Sequence, residues 1–136
     1  SALLVKSNEE SLATLDCACV DLFTGRCAFY KAGAPRSYVL RHGRLTRCEL
    51  ASMPAGILRG ITFAKRTAVL GAGDTVVLLS DGITDADAVG LEALLCRFQS
   101  QDQQELADTV LAYAKAHTPA DRRDDMSVIV ARLLPN

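Results

Sequence analysis

Tryptophan is absent from this chain of 136 residues, and the aromatic residues together make up only 5% of it. Proteins that bind single-stranded nucleic acid stack the bases on aromatic side chains, and such platforms are scarce here. An excess of positive charge is also lacking, because 15 Lys and Arg residues are balanced by 16 Asp and Glu residues, for a formal net charge of -1. We therefore predict that nucleic acid is not a partner.

Long apolar runs and paired metal-ligand motifs are missing as well. The longest apolar runs, such as residues 75–79, are far shorter than the roughly 20 residues that cross a membrane, so we expect no membrane contact by this chain. Five cysteines without a Cys-x-x-Cys pair and only two histidines argue against a zinc site. Buried free thiols in a reducing compartment are the simplest interpretation, and we predict a cytoplasmic protein.

The chain does contain a series of strand patterns followed by helix patterns. Amphipathic spacing of Leu91, Leu94, Leu95 and Phe98 predicts one helix, and Asp102 is the expected N-cap of a second. Strands that come in runs, with the helices together afterwards, predict an α+β class with largely antiparallel sheets. The predicted strands are 14–22, 26–31, 37–41, 44–50, 62–70, 75–79 and 126–131, of which 75–79 and 126–131 are expected to be buried.

The start of the chain lacks an initiator Met, and apolar residues 2–5 follow Ser1 directly. This pattern is typical of an element whose earlier part is missing. We therefore expect residues 1–136 to form a single domain fragment of a longer protein.

An acidic residue follows the most apolar predicted strand without a spacer. Asp81 begins an Asp-Gly turn at the point where residues 75–79 end. An isolated carboxylate at such a place must be protonated, hydrogen-bonded by backbone amides of the turn, or held by a cation. Taken alone, Asp81 is better explained by an ordinary Asp-Gly turn.

A second acidic pair, Asp124 and Asp125, directly precedes the last predicted strand. If the two strands are antiparallel neighbours, all three carboxylates reach the same edge of one sheet. Oxygen ligands without His or Cys favour Mg²⁺ or Mn²⁺ over zinc. One alternative is that Asp124 and Asp125 belong to a solvated loop at 121–125. Another is that the acidic turns only cap strands, in which case Asp81 and Asp124 lie far apart. Asp85 and Asp87 are predicted to be solvated and not to bind a metal.

Seven short motifs follow one another along the chain in a fixed order. They are Ala13-Thr14-Leu15-Asp16, Asp21-Leu22-Phe23-Thr24-Gly25, Lys31-Ala32-Gly33-Ala34-Pro35, Met53-Pro54-Ala55-Gly56-Ile57-Leu58, Gly73-Asp74, Ser80-Asp81-Gly82-Ile83 and Asp124-Asp125-Met126-Ser127. In this order they resemble the metal-dependent PPM (type 2C) protein serine/threonine phosphatases, and within them the bacterial stage II sporulation protein E group. The resemblance runs from about residue 12 to residue 133.

The resemblance implies part of an α-β-β-α sandwich that carries a two-metal Mn²⁺ or Mg²⁺ centre. Asp81 resembles the metal ligand of the Ser-Asp-Gly motif, and Asp124 resembles the ligand of the Asp-Asn-Met or Asp-Asp-Met motif. Asp125 ranks second, because many members carry Asn there. The implied substrate is a phosphoserine on an anti-anti-sigma factor during sporulation control.

One motif of the family has no counterpart here, namely an early Asp-Gly pair that bridges both metals. We therefore expect an incomplete centre, negligible activity of this chain alone, and self-association through uncovered sheet edges. The sequence leaves open whether the parent protein is anchored to a membrane by an upstream region. Two alternatives also stay open, a non-catalytic PPM-like interaction module and a stress-response phosphatase that acts on a similar anti-anti-sigma factor.

Overall fold

The computed structural model describes residues 15–49, 64–84, 87–99 and 102–135 of the chain. Within these ranges, seven strands form two antiparallel sheets, with strand orders β1-β2-β5 and β4-β3-β6-β7. The α+β class with antiparallel sheets is thus confirmed. The strands are β1 (Leu15–Val20), β2 (Arg26–Ala32), β3 (Ser37–Arg41), β4 (Arg44–Cys48), β5 (Ala64–Val69), β6 (Thr75–Leu79) and β7 (Val128–Arg132); the helices are α1 (Asp81–Thr84), α2 (Ala88–Arg97), α3 (Gln103–Ala116) and a 3₁₀ turn at Ala120–Arg122.

The chain divides into two compact units. The first contains the three-stranded sheet, and the second contains the four-stranded sheet together with all the helices described. The prediction that residues 1–136 form a single domain stays a prediction. The motif at 53–58 and the residue Asp85 lie outside the described residues.

A buried ion pair crosses the first hairpin of the three-stranded sheet. Asp16 on β1 lies directly opposite Lys31 on β2, and the fully buried Lys31 Nζ donates a hydrogen bond of 2.8 Å to Asp16 Oδ1. An ammonium group removed from water requires a partner of this kind. No sequence pattern indicates a chemical role for Asp16, and the ion pair with Lys31 explains its place in a strand.

The core of the second unit lies between the four-stranded sheet and helices α2 and α3. Strand β6 lies inside the sheet between β3 and β7, and its Val76, Val77 and Leu79 are buried, which confirms the predicted buried strand. Both predicted helices are present. Their core-facing residues join β3 and β6 in one cluster that includes Tyr38, Val77, Leu79, Ile83, Leu91, Leu95, Leu106, Val110 and Ala114.

The prediction of a buried strand at 126–131 was wrong about its burial. Strand β7 pairs with β6 and forms an edge of the sheet as described. Its residues therefore alternate, with Val128 and Val130 packed against the core and Ile129 60% exposed. Alternation of this kind is typical of a strand with one covered face.

The prediction of buried thiols holds for only part of the set. Cys27 and Cys48 are buried, but Cys17 is partly exposed, and Cys19 and Cys96 are exposed. Cys19 lies near the end of β1, which is the edge strand of its sheet within the described ranges, and Cys96 lies on the outer side of α2. Cys19 and Cys96 are therefore exposed although apolar residues lie next to them in sequence.

Two aspartates begin the two longer helices. Asp102 accepts hydrogen bonds from the backbone N–H groups of Gln104 and Glu105, which confirms the predicted N-cap of α3. Asp87 caps α2 through Gly90 and also accepts a hydrogen bond of 2.9 Å from the Tyr113 hydroxyl. Its carboxylate thus fixes α2 to α3. Among the described residues, no helix combines the length and the apolar character needed to cross a membrane.

A tight turn at 71–74 fixes the end of the four-stranded sheet that lies opposite α1. Asp74, which is 2% exposed, accepts hydrogen bonds from Arg41 Nε and from the Gly71 N–H, both at 2.8 Å. Burial alone would raise the pKa of Asp74, but Arg41 and the Gly71 amide outweigh it and hold the pKa below its ordinary value. The ionised carboxylate therefore stabilises the fold.

We expect Asp74→Asn to lower the free energy of unfolding at neutral pH by roughly 1 to 3 kcal/mol, because Arg41 and Gly71 lose a charged acceptor. Because the pKa of Asp74 is lower in the native state, the ionised carboxylate stabilises the fold at pH values above the ordinary Asp pKa. This stabilisation is lost as the pH falls below about 4 and through the native pKa. Urea unfolding between neutral pH and about pH 3 should thus show a steeper acid loss in the wild type than in the variant. The exposed Asp108→Asn is the control, and equal pH dependence of wild type and Asp74→Asn would contradict the prediction.

Candidate metal centre

The pairing of β6 with β7 brings the two acidic turns to one end of the sheet. The strands are antiparallel, and Leu79 at the end of β6 lies opposite Val128 at the start of β7. The ladder continues past both strands, since the Ser80 N–H donates a hydrogen bond of 3.0 Å to the Ser127 carbonyl. The predicted neighbourhood of these two strands is therefore confirmed.

A single hydroxyl connects the two turns. Ser80 Oγ donates to the Asp125 carbonyl at 3.1 Å and accepts from the Ser127 N–H at 2.8 Å. Both of these hydrogen bonds of the Ser80 hydroxyl, one donated and one accepted, are made to the backbone of the opposite turn. In the sequence, Ser80 stands out only as part of the Ser-Asp-Gly motif. Its position between a buried strand and an Asp-Gly turn is the one local pattern that indicates a hydroxyl contact between the two turns.

Glycine at position 82 permits a close approach of the two backbones. A Cβ atom built on Gly82 would lie 2.5 Å from the Asp125 carbonyl oxygen and 3.1 Å from that of Asp124. Any side chain at this position would therefore push the turns apart. The next residue, Ile83, is buried in the core and fixes α1 from the other side.

The three predicted ligands lie on these two turns. Asp81 is the first residue of α1 and is exposed, and Asp124 and Asp125 are exposed on the segment that enters β7. Asp124 Oδ1 accepts a hydrogen bond of 2.8 Å from the Asp125 N–H. The alternative of strand-capping turns required Asp81 and Asp124 to lie far apart, whereas the turns that carry them are in contact.

The chemistry of the donors fits a hard divalent cation. The residues of the two turns that could bind a metal offer carboxylate, carbonyl and hydroxyl oxygens, without imidazole or thiol groups. Mg²⁺ and Mn²⁺ prefer such ligands. In the ranges that the structure describes, no group of three or more His, Cys, Asp or Glu side chains converges to hold a metal. The assignment of Asp81, Asp124 and Asp125 as metal ligands stays a prediction.

A charged network fixes α2 to the sheet. Glu92 accepts hydrogen bonds from the Tyr38 hydroxyl at 2.8 Å and from Arg47 Nε at 2.6 Å, and Arg36 lies 3.7 Å from it. Burial and the bond to Glu92 raise the pKa of Tyr38 to about 12. The contact with Arg47 lowers the pKa of Glu92. These contacts hold the helix that follows the Asp81 turn, and the sequence alone gave no sign of them.

Comparison with known proteins identifies relatives of this chain. The family model of stage II sporulation protein E (SpoIIE) matches residues 1–134. Stage II sporulation protein E of Bacillus subtilis is 26% identical over 98% of this chain, which spans 17% of that relative's length. The manganese-presoaked phosphatase domain of B. subtilis SpoIIE has a TM-score of 0.80 and 25% identity, with 99% of this chain and 63% of that chain covered.

A second solved structure shows the same relationship. It contains the PP2C phosphatase domain and a fragment of the regulatory domain of B. subtilis SpoIIE, and it matches with a TM-score of 0.83 and 25% identity. The match covers 96% of this chain and 42% of that chain. The fold described above is therefore that of PP2C phosphatase domains, and the chain corresponds to part of the length of each relative.

We expect Ser80→Ala to loosen the connection between the two acidic turns, because the Asp125 carbonyl and the Ser127 N–H both lose their hydroxyl partner. The loss should lower the free energy of unfolding by about 1 kcal/mol and speed hydrogen exchange of the Ser127 amide. Thr84→Val is the matched control, since the Thr84 hydroxyl donates to the Asp81 carbonyl of the same helix, whereas the Ser80 hydroxyl reaches the opposite turn. Unchanged exchange at Ser127 in Ser80→Ala would show that the hydroxyl does not connect the turns.

Proposed function

Because this chain belongs to the stage II sporulation protein E family, we propose that it is part of a metal-dependent protein serine phosphatase domain. In this proposal Asp81 and Asp124 hold Mn²⁺ or Mg²⁺, and Asp125 has a secondary role. The observation that supports the proposal is the contact between the two acidic turns, which are distant in sequence and lie at the same end of the sheet. The manganese presoak of the B. subtilis phosphatase domain supports the choice of metal.

The residues of this chain prepare the site. Ser80 holds the segment that carries Asp124 and Asp125, and Gly82 allows the Asp81 turn to approach that segment. When bound, a divalent ion of this kind neutralises charge on a phosphoryl group and provides a nucleophile at neutral pH. Asp124 Oδ1 already accepts a backbone hydrogen bond, which limits the orientations open to its carboxylate. The site thus depends on backbone contacts as much as on the carboxylates.

The proposed substrate is a phosphoserine on an anti-anti-sigma factor, and the proposed setting is sporulation control in the cytoplasm. The SpoIIE relatives, which are named for sporulation and for the determination of cell fate, support this choice. An upstream anchor to the membrane in the parent protein is compatible with it. A stress-response phosphatase is the alternative within the same class of enzyme, and it differs in which anti-anti-sigma factor is hydrolysed.

A non-catalytic interaction module is the second candidate. The exposed position of the three aspartates is compatible with contacts to a protein partner. The two functions differ in their response to metal. Binding of a partner by such a module should not change when Mn²⁺ is removed, whereas phosphatase activity should be lost.

We expect Asp81→Asn and Asp124→Asn each to reduce Mn²⁺-dependent hydrolysis of a phosphoserine protein by about 100-fold or more, since metal stabilisation of charge is worth several kcal/mol. The assay uses a phosphatase domain of the full length found in the solved SpoIIE relative, of which this chain covers 63%. The 136-residue chain alone should hydrolyse little, because the bridging Asp-Gly pair implied by the resemblance has no counterpart in it.

Two variants serve as controls for this experiment. Asp125→Asn should retain more activity than Asp124→Asn, because the related motif often carries Asn at that position. Asp121→Asn changes an exposed aspartate in the 3₁₀ turn and should have no effect. Full activity of Asp81→Asn, or activity that persists after chelation of the metal, would contradict the proposed function.

We further propose that the chain self-associates through its sheet edges. Strands β1 and β7 are edge strands in the sheets as described, and unpaired backbone groups on such strands can pair with another chain. Light scattering should give a mass above that of the monomer. A lysine at the exposed Ile129 of β7 should reduce association, whereas Val89→Lys on α2 should not. A wild-type monomer at all concentrations tested would exclude this proposal.

A further inference from the structure

Two thiols lie side by side on the first strand. Cys17 and Cys19 are two residues apart on β1, and alternate residues of a strand point to the same face of the sheet. Their Sγ atoms are 3.8 Å apart. Cys17 is partly exposed and Cys19 is exposed, so both are accessible to a small ion.

The distance between the sulfur atoms is poorly suited to a direct disulfide. A rise of about 3.4 Å per residue places the Cα atoms of alternate strand residues roughly 6.8 Å apart, which is the upper limit for a disulfide. The sulfur atoms would also have to move from 3.8 Å to about 2.05 Å. A direct bond between the two sulfur atoms would therefore lie at the limit of disulfide geometry.

The same distance fits two ligands of one tetrahedral metal. Two Zn–S bonds of about 2.3 Å at a tetrahedral angle place the sulfur atoms about 3.8 Å apart. We propose that Cys17 and Cys19 bind a soft divalent cation of the zinc and cadmium class as a two-thiolate site. The proposal is independent of the phosphatase function, and the ion needs no change in the positions of the sulfur atoms.

The two thiols keep their protons until a cation displaces them. Burial, followed by the hydrogen bond to Cys19, raises the pKa of Cys17, so this thiol is protonated at neutral pH in the absence of a metal. Two thiolates this close repel each other, and a dication that displaces their protons removes that repulsion. On the same face, Tyr30 lies opposite Cys17 and Lys65 lies opposite Tyr30. Two protein ligands leave two coordination positions, which water can fill.

The spacing explains why the sequence argued against this site. Zinc sites are recognised from Cys-x-x-Cys pairs, in which a turn brings the two thiols together. In the Cys-x-Cys segment of β1, the extended strand does so instead, since it places both side chains on one face. Two cysteines separated by one residue share a face only if their segment is a strand, and the structure shows that residues 15–20 form one.

Cadmium titration of the reduced 136-residue chain tests the proposal. Binding of Cd²⁺ to two thiolates should produce a ligand-to-metal charge-transfer absorption in the ultraviolet that saturates at one ion per chain. Cys17→Ser and Cys19→Ser should each abolish this absorption. Cys96→Ser removes an exposed thiol on α2 and is the matched control, and it should retain the full signal. Asp81→Asn should also retain it, which separates this result from the outcome for the carboxylate site.

A second measurement avoids substitutions altogether. Cd²⁺ or Zn²⁺ alone should protect Cys17 and Cys19 of the wild-type chain from alkylation and leave Cys96 reactive, as read by peptide mass spectrometry. Excess Mn²⁺ should not remove the protection, because it is a harder ion that prefers oxygen ligands. The proposal is overturned if Cd²⁺ gives no charge-transfer band, if either serine variant keeps the band, or if Cys96 is protected to the same degree.

Discussion

Antiparallel pairing of β6 with β7 is the constraint on which the candidate site depends. It joins segments that lie more than forty residues apart in sequence, as the bond from Ser80 to Asp125 shows. The ladder alone would align the strands, but the approach of the turns also requires Gly82 and the hydroxyl of Ser80. The turns that carry Asp81, Asp124 and Asp125 are thus held at one end of the sheet by backbone contacts and one hydroxyl.

The remainder of the second unit supports this arrangement from both ends of the sheet. Ile83 fixes α1 in the core directly after the acidic turn, and Glu92 holds α2 through Tyr38 and Arg47. At the opposite end, Asp74 connects the turn before β6 to Arg41. The candidate site and the core therefore share one strand, β6, whose apolar side chains are part of the core and whose ends carry the polar contacts.

Much of the fold could be predicted from the sequence, because it follows from local patterns, and the same patterns locate the two acidic turns that carry the candidate ligands. The apolar run of β6, the periodicity of α2 and the Asp102 cap are signals within a few residues. Burial was predicted less well at β7 and Cys19, since burial depends on which strand ends at an edge. The contacts of Lys31 with Asp16 and of Glu92 with Arg47 join distant residues, and no local pattern reports them.

The most direct test of the central claim is a nuclear magnetic resonance titration with Mn²⁺, a paramagnetic ion that broadens the signals of nearby nuclei even at low occupancy. The account predicts that the backbone amides of residues 80–83 and 123–127 broaden together, and that this joint broadening is lost in Asp81→Asn and in Asp124→Asn. Broadening confined to one of the two turns would contradict the account, as would joint broadening that survives either substitution.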